Sequence, residues 1–161
     1  MDFIYVGKLV NTHALKGEVR LISDFEYKNK LFIKGMHLYI GEDMECVTIE
    51  TYRKHKSFDM CKFIEYNYIN DVLKFKGKKV YALRSELNLD KNELLLTDYL
   101  KKRCIYKNKT IGYVEDVIDN NGNRLLLVNS KYIPLNPNFI ENIDLEIKKG
   151  ECFKHSLYFF A

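Results

Sequence analysis

Val6-Gly7-Lys8-Leu9-Val10-Asn11-Thr12-His13-Ala14-Leu15-Lys16-Gly17-Glu18-Val19-Arg20 reads as a strand, a tight loop and a second strand. The apolar, β-branched flanks fit a pleated, half-buried surface. Gly17 closes the loop because glycine takes a positive φ without strain. The loop lifts His13 and Lys16 to one rim. Arg20 follows two residues beyond Glu18, on the same strand face. Positive groups on a rim can meet phosphate, and an imidazole can stack on a base. A plainer alternative stays open here: Lys16 and Arg20 only solubilise the surface while Glu18 pairs with one of them.

Short strands continue outward from this stretch. Phe3–Val10 and Glu18–Ile22 are its flanks. Met36–Ile40 and Glu45–Tyr52 are separated by Gly41-Glu42-Asp43, a hairpin-like turn. Phe58–Tyr66 alternates, with Cys61, Phe63 and Glu65 on one face and Met60, Lys62 and Ile64 on the other. Asn70–Lys76 is the best helix candidate, capped by Asn70, with Val72, Leu73 and Phe75 facing inward and Gly77 as its stop. Lys79–Leu83 returns as a strand. Residues 84–93 are polar and aperiodic and open a connection, with one helical turn expected at Ser85–Leu87. Beyond it, turn signals recur at the short spacing of a small barrel or sandwich. Lys102–Tyr106 and Thr110–Ile118 flank Lys107-Asn108-Lys109. Asn121-Gly122 is the strongest hairpin signal in the chain, since Asn-Gly readily takes the positive φ of a type I′ turn. Arg124–Val128, an Asn129-Ser130 turn and Lys131–Ile133 follow, with Pro134 and Pro137 ending that strand. Glu151–Lys154 is a candidate last strand. The apolar tail Leu157-Tyr158-Phe159-Phe160 either packs on the protein or forms a docking patch.

Composition agrees with an all-β chain. Of 161 residues, 12 are Tyr and 10 are Phe, and none is Trp, so any base stacking falls to Tyr, Phe, His or Arg. The formal charge of +4 permits an anionic partner without demanding one. Cys46, Cys61, Cys104 and Cys152 form no Cys-x-x-Cys pair, which speaks against a zinc site. Met1–Val10 has no basic start followed by a long apolar run, so reduced, buried thiols in the cytosol are expected. No stretch approaches the roughly 20 apolar residues of a membrane span. His13, His37, His55 and His155 are too scattered for a helical metal pair. There is no phosphate loop, dinucleotide fingerprint or nucleophile elbow. Short strands without long loops argue against a deep pocket. The chain is therefore expected to be neither an enzyme nor a cofactor or metal binder.

The opening stretch resembles the signature of the RimM family of ribosome maturation factors: a strand, a His-Gly-Leu-Lys-Gly-Glu-Val/Leu loop and a second strand. Ala14 stands where that family usually has glycine. Arg53-Lys54-His55-Lys56 resembles the basic hairpin tip before the fifth strand of the family's first domain. Asn70–Tyr81 is similar to its short helix and final strand, with Lys74, Lys76, Lys78 and Lys79 as a solvated face. The second half resembles a PRC-barrel, the family's other domain, through Asp98-Tyr99-Leu100, Ile111-Gly112-Tyr113-Val114, Asn121–Val128, Ile133-Pro134 and Phe139–Leu145 in the expected order. Leu94-Leu95-Leu96 stand where the family has an aromatic run, and read as either an apolar docking strip or part of the domain junction.

The resemblance implies an all-β fold of two small barrels: a six-stranded barrel of translation-factor or reductase type over 1–88, a linker over 89–96, and a PRC-barrel over 97–161. It also implies a job. The chain would be a cytoplasmic, monomeric, non-enzymatic chaperone that binds the immature small ribosomal subunit near its head. Its contacts would be 16S rRNA and the head protein numbered nineteen. The residues expected to carry that contact are His13, Lys16, Arg20, Arg53, Lys54, His55 and Lys56, with Gly17 and Gly122 as structural turns. Two other readings remain: a flavin-reductase-like barrel enzyme, and a PRC-type protein-interaction module with no RNA role.

Overall fold

Alternating burial along each strand rolls the first half of the chain into a closed barrel. Its strands are β1 (Phe3–Thr12), β2 (Val19–Ile22), β3 (His37–Ile40), β4 (Glu45–His55), β5 (Phe58–Phe63) and β6 (Lys79–Leu83). All neighbours are antiparallel, in the ring order β1-β2-β5-β4-β3-β6. The computed structural model describes residues 2–91, 93–120, 123–136 and 140. The chain divides into two compact units between Asp90 and Lys91. Both are built from strands.

Leu9, Val19, Leu21, Leu38, Ile40, Val47, Ile49, Cys61, Phe63, Val80 and Ala82 are buried. Every second residue of a strand faces the same way, so such alternation points an apolar set inward. Closure removes the exposed strand edges that would otherwise invite pairing with other chains. Gly7 permits the closure between β1 and β2, because a Cβ there would sit 2.5 Å from the Ile22 carbonyl oxygen. A bulge between Tyr5 and Gly7 shifts the β1–β6 register at the same point.

The helix expected over 70–76 breaks into a short helix and a 3-10 turn, and another short helix precedes it in the chain. The first, α1 (Lys28–Leu31), was not legible in the sequence; it brings Leu31 and the following Phe32 into the core. The second, α2 (Ile69–Val72), continues as a 3-10 turn over Leu73–Phe75. Tyr68, not Asn70, is its N-cap, and no side chain caps it. Val72 and Phe75 face inward as expected, but Leu73 is exposed. The switch to three residues per turn explains this: it brings Val72 and Phe75 onto one face and turns Leu73 off it. Phe75 packs edge-on against Phe63 and Tyr66.

Two further expectations differ from the structure. The fifth strand ends at Phe63 rather than Tyr66. The alternation of that strand holds, and Met60 is buried even on its outward face. Cys46 is exposed, whereas Cys61 and Cys104 are buried. Cys46 pairs in register with Tyr39, on the face of β4 opposite to that of buried Val47.

The second unit contains β7 (Arg103–Tyr106), β8 (Lys109–Asn120), β9 (Asn123–Val128) and β10 (Lys131–Pro134), an antiparallel sheet of order β10-β9-β8-β7. Cys104, Val114, Leu126, Val128, Ile133 and Ile140 form its core. Two turns carry positive φ at both central residues, Lys107-Asn108 (48° and 61°) and Asn129-Ser130 (53° and 63°). That is the type I′ geometry matching the twist of paired strands, and it moves Lys109 out of the expected loop and into β8 opposite Tyr106. Asn120 pairs with Asn123. Asn121 and Gly122 between them lie outside the described residues, as do Cys152, His155, the candidate strand Glu151–Lys154 and the tail Leu157–Phe160. Leu95, within the expected linker, is buried, and its backbone N–H donates to Asp98 Oδ2 at 2.9 Å.

Candidate nucleic-acid interface

The loop between β1 and β2 folds back on itself. The His13 N–H donates to the Glu18 carbonyl at 2.8 Å, and the Gly17 N–H donates to the Ala14 carbonyl at 2.9 Å. The positive φ falls on Gly17 (94°) and not on Ala14, so the loop does not need the family's glycine at position 14. A Cβ on Gly17 would also lie 3.1 Å from the Tyr66 carbonyl oxygen. Gly17→Ala is therefore expected to destabilise the barrel by about 1–2 kcal/mol, combining left-handed strain with a backbone contact. The check is the urea midpoint; an unchanged midpoint contradicts the role given to Gly17.

Strand register then assembles the site on the outer wall of β2, β5 and β4. Arg20 is the partner of Met60 on one side, and Arg53 is its partner on the other. Two strand spacings put the arginine backbones roughly 10 Å apart. Met60 sits between the two, fully buried on an outward face, as expected where long arginine stems lie along apolar surface. Arg20 reaches His13, with Nε at 3.2 Å and Nη2 at 2.8 Å from Nδ1. Because Nδ1 accepts, a neutral His13 ring carries its proton on Nε2. Arg20 also lies 5.5 Å from the centroid of Phe58, within cation–π range. His55 is the register partner of Phe58, and its ring lies 5.9 Å from that of His13.

Glu18 completes the group. Arg53 grips it with two hydrogen bonds, Nε to Oε2 at 2.9 Å and Nη2 to Oε1 at 2.8 Å. This bidentate bond holds the Glu18 carboxyl below its ordinary 4.5, against the opposing effect of burial, with smaller pulls from His13 and His55. Glu18 thus pairs across β5 with a residue distant in sequence, rather than locally with Lys16 or Arg20. Because the folded-state pKa is depressed, this pair contributes stability above about pH 4.5 and loses it as pH falls through the folded value. Arg53→Ala is expected to move the Glu18 titration up toward 4.5, as read by carboxyl carbon NMR. A titration that stays in place would mean that Arg53 is not what holds it down.

The structure brings together His13, Arg20, Arg53 and His55. Lys16 is exposed in the loop and Lys56 is exposed in the two-residue turn between β4 and β5, with φ of 56°. Lys54 departs from the group. Alternation turns it to the opposite face, where its Nζ lies 3.5 Å from Asp59 Oδ1. Phe58, Met60 and Glu18's long-range pairing were missed from sequence. The signal for Phe58 was available, since a two-residue turn after His55 makes the two residues partners on one face.

This wall can hold an anion and a flat ring together. Among the described residues, no three His, Cys, Asp or Glu cluster to hold a metal. Burial pushes the Cys104 thiol up to about 11 and the Cys61 thiol higher still, away from reactive thiolate. No helix among the described residues is long and apolar enough to cross a membrane.

Comparison with known proteins places the chain. The family model for the RimM N-terminal domain matches residues 4–87. The Ribosome maturation factor RimM of an Exiguobacterium species is 32% identical over 158 residues, covering 92% of each chain. That of Streptococcus pneumoniae is 28% identical over 159 residues, again covering 92% of each. The solution structure of the N-terminal domain of RimM from Thermus thermophilus covers 55% of this chain and 98% of its own, at 19% identity and a TM-score of 0.48. A family match over residues 4–87, joined by a 32%-identical relative spanning 92% of the sequence, means that this chain belongs to the RimM family.

Proposed function

We propose that this chain acts in ribosome maturation by binding the immature small ribosomal subunit near its head, in the cytoplasm and as a monomer. Its partners there are 16S rRNA and the head protein numbered nineteen. The role is that of a non-enzymatic chaperone. It binds one partly folded rRNA–protein state better than its competitors, and so shifts the population toward that state. No bond need be made or broken, and no cofactor is called for.

The observation that supports RNA contact is the Arg20–Met60–Arg53 wall with His13, His55 and Phe58 beside it. Guanidinium groups suit phosphate because their fork of donors is rigid and always charged. Phosphate contacts position a protein on RNA, while the rings offer faces on which an unpaired base can stack. Lys16 and Lys56 widen the positive field at the loop and the hairpin turn.

The testing experiment is co-sedimentation of the full chain with immature small subunits from cells lacking it, across a salt series. Saturable binding that weakens linearly in log–log form with salt is expected, since each neutralised phosphate releases counterions. Failure to co-sediment at every ionic strength would remove the proposal. Binding insensitive to salt would leave a protein-interaction role without RNA contact.

A further inference from the structure

On the opposite side of the barrel, two lysines face each other without an ion pair among the described residues. Lys8 of β1 is the register partner of Lys79 of β6, and both are exposed. Like charges directly opposite on neighbouring strands are destabilising. The described residues provide no carboxylate in ion-pair contact with either one, in contrast to Lys28, Lys54, Lys62 and Lys74, each of which has one. The β1 bulge matters here, because it leaves Val6 and Gly7 buried while Tyr5 and Lys8 both stay exposed. Tyr5 pairs in register with Tyr81, their rings edge to face at 5.9 Å, and Tyr5 is 54% exposed. At Tyr81 is an open depression of about 440 Å³, lined also by Lys78 and Lys79 and by Glu42 and Asp43.

We infer that this β1–β6 face is a second RNA contact, one that takes an unpaired nucleotide: phosphate between Lys8 and Lys79, base against Tyr81. The inference rests on the RNA-binding reading above and deepens it. The depression is of ligand size. Aromatic faces beside a basic track are how single strands are held without sequence preference. An anion between the two lysines relieves the repulsion that the free fold carries. The carboxylates of Glu42 and Asp43, which also line the depression, repel phosphate and can accept from exocyclic amino groups of a base. In the ring order β1-β2-β5-β4-β3-β6, strand β6 stands opposite β5, so this contact and the Arg20–Arg53 wall address different RNA segments.

The test uses the full chain and a fluorescein-labelled mixed-sequence RNA 12-mer, read by anisotropy, with the same sequence as a duplex in parallel. Lys8→Gln with Lys79→Gln is expected to weaken single-strand binding about tenfold and to lower the salt slope by about 0.7, the share of one phosphate contact. The same pair of changes leaves the melting temperature equal or higher, because a like-charge contact has been removed. Tyr81→Leu is expected to weaken binding about fivefold or more with the salt slope unchanged. Single-strand affinity unmoved by these substitutions overturns the inference, as does equal affinity for the duplex or equal competition by polyglutamate. The wild-type subunit assay separates the two readings. If wild-type chain co-sediments but the lysine and tyrosine variants bind the 12-mer normally, only this inference falls; if wild-type chain does not co-sediment, the larger proposal falls first.

Discussion

Asp59→Ala is expected to lower the stability of the barrel by about 3 kcal/mol, seen as a lower urea midpoint at an unchanged slope. Asp59 is fully buried on β5. Its Oδ2 accepts from Lys28 Nζ at 2.9 Å, and its Oδ1 accepts from the Tyr52 hydroxyl at 2.6 Å and from Lys54 Nζ at 3.5 Å. One carboxylate therefore ties α1, which carries Lys28, to both strands of the β4–β5 hairpin. Tyr52 in turn stacks on Phe32 at 4.8 Å, so the bond also fixes the ring that covers this end of the core. Truncation removes the acceptor but leaves all three donors. Breaking a buried pair on one side typically costs about 3–5 kcal/mol. The lower end applies because the side chains of Lys28 and Lys54 are 33% and 50% exposed and can turn to water. Asp59→Asn keeps one acceptor oxygen and should fall between wild type and Asp59→Ala. Burial, and then the hydrogen bond to Asp59, push the Tyr52 phenol above its ordinary value of 10. The folded-state pKa is raised, so this contribution is complete below pH 10 and is lost as pH rises through the folded value. An Asp59→Ala barrel as stable as wild type would show that the three donors are satisfied elsewhere.

How much of this was legible beforehand depends on the range of the interaction. The strand at 79–83 and the turn at Gly41 follow from local alternation and turn chemistry, and both stand where the residues put them. The pairing of Glu18 with Arg53 does not, because it depends on β5 being inserted between β2 and β4 in the ring. Nothing local encodes that insertion. The same holds for Asp59, which reads as an ordinary strand-start carboxylate until α1 supplies Lys28. Helix α1 was itself invisible, being four residues long, with neither a side-chain cap nor a full turn of periodicity. His13, Arg20, Arg53 and His55 were picked out as basic residues of two separate segments; their meeting on one wall is a product of barrel closure. Lys54 shows the opposite lesson. A basic tetrapeptide looks like one patch in sequence, yet strand alternation sends its members to two faces.

That division leads to the largest effect expected on binding. Arg20→Glu combined with Arg53→Glu should reduce affinity for immature small subunits by about 100-fold or more at physiological salt. Two phosphate-facing charges are lost and two repulsive ones appear. The salt slope should flatten by about 1.5, the share of two phosphate contacts. The reversal also leaves Glu18 facing like charge, so the conservative pair Arg20→Gln with Arg53→Gln is needed beside it. That pair avoids the new repulsion and is expected to lose roughly tenfold while its melting temperature stays closer to wild type. Lys54→Gln supplies the contrast, because the Lys54 ammonium points toward Asp59 on the other face. It should change subunit binding by less than about threefold, the effect of a screened charge away from the contact. If Lys54→Gln weakens binding as much as the arginine substitutions do, net charge rather than the Arg20–Met60–Arg53 wall governs association. If the double reversal binds as wild type, this wall does not meet the subunit at all.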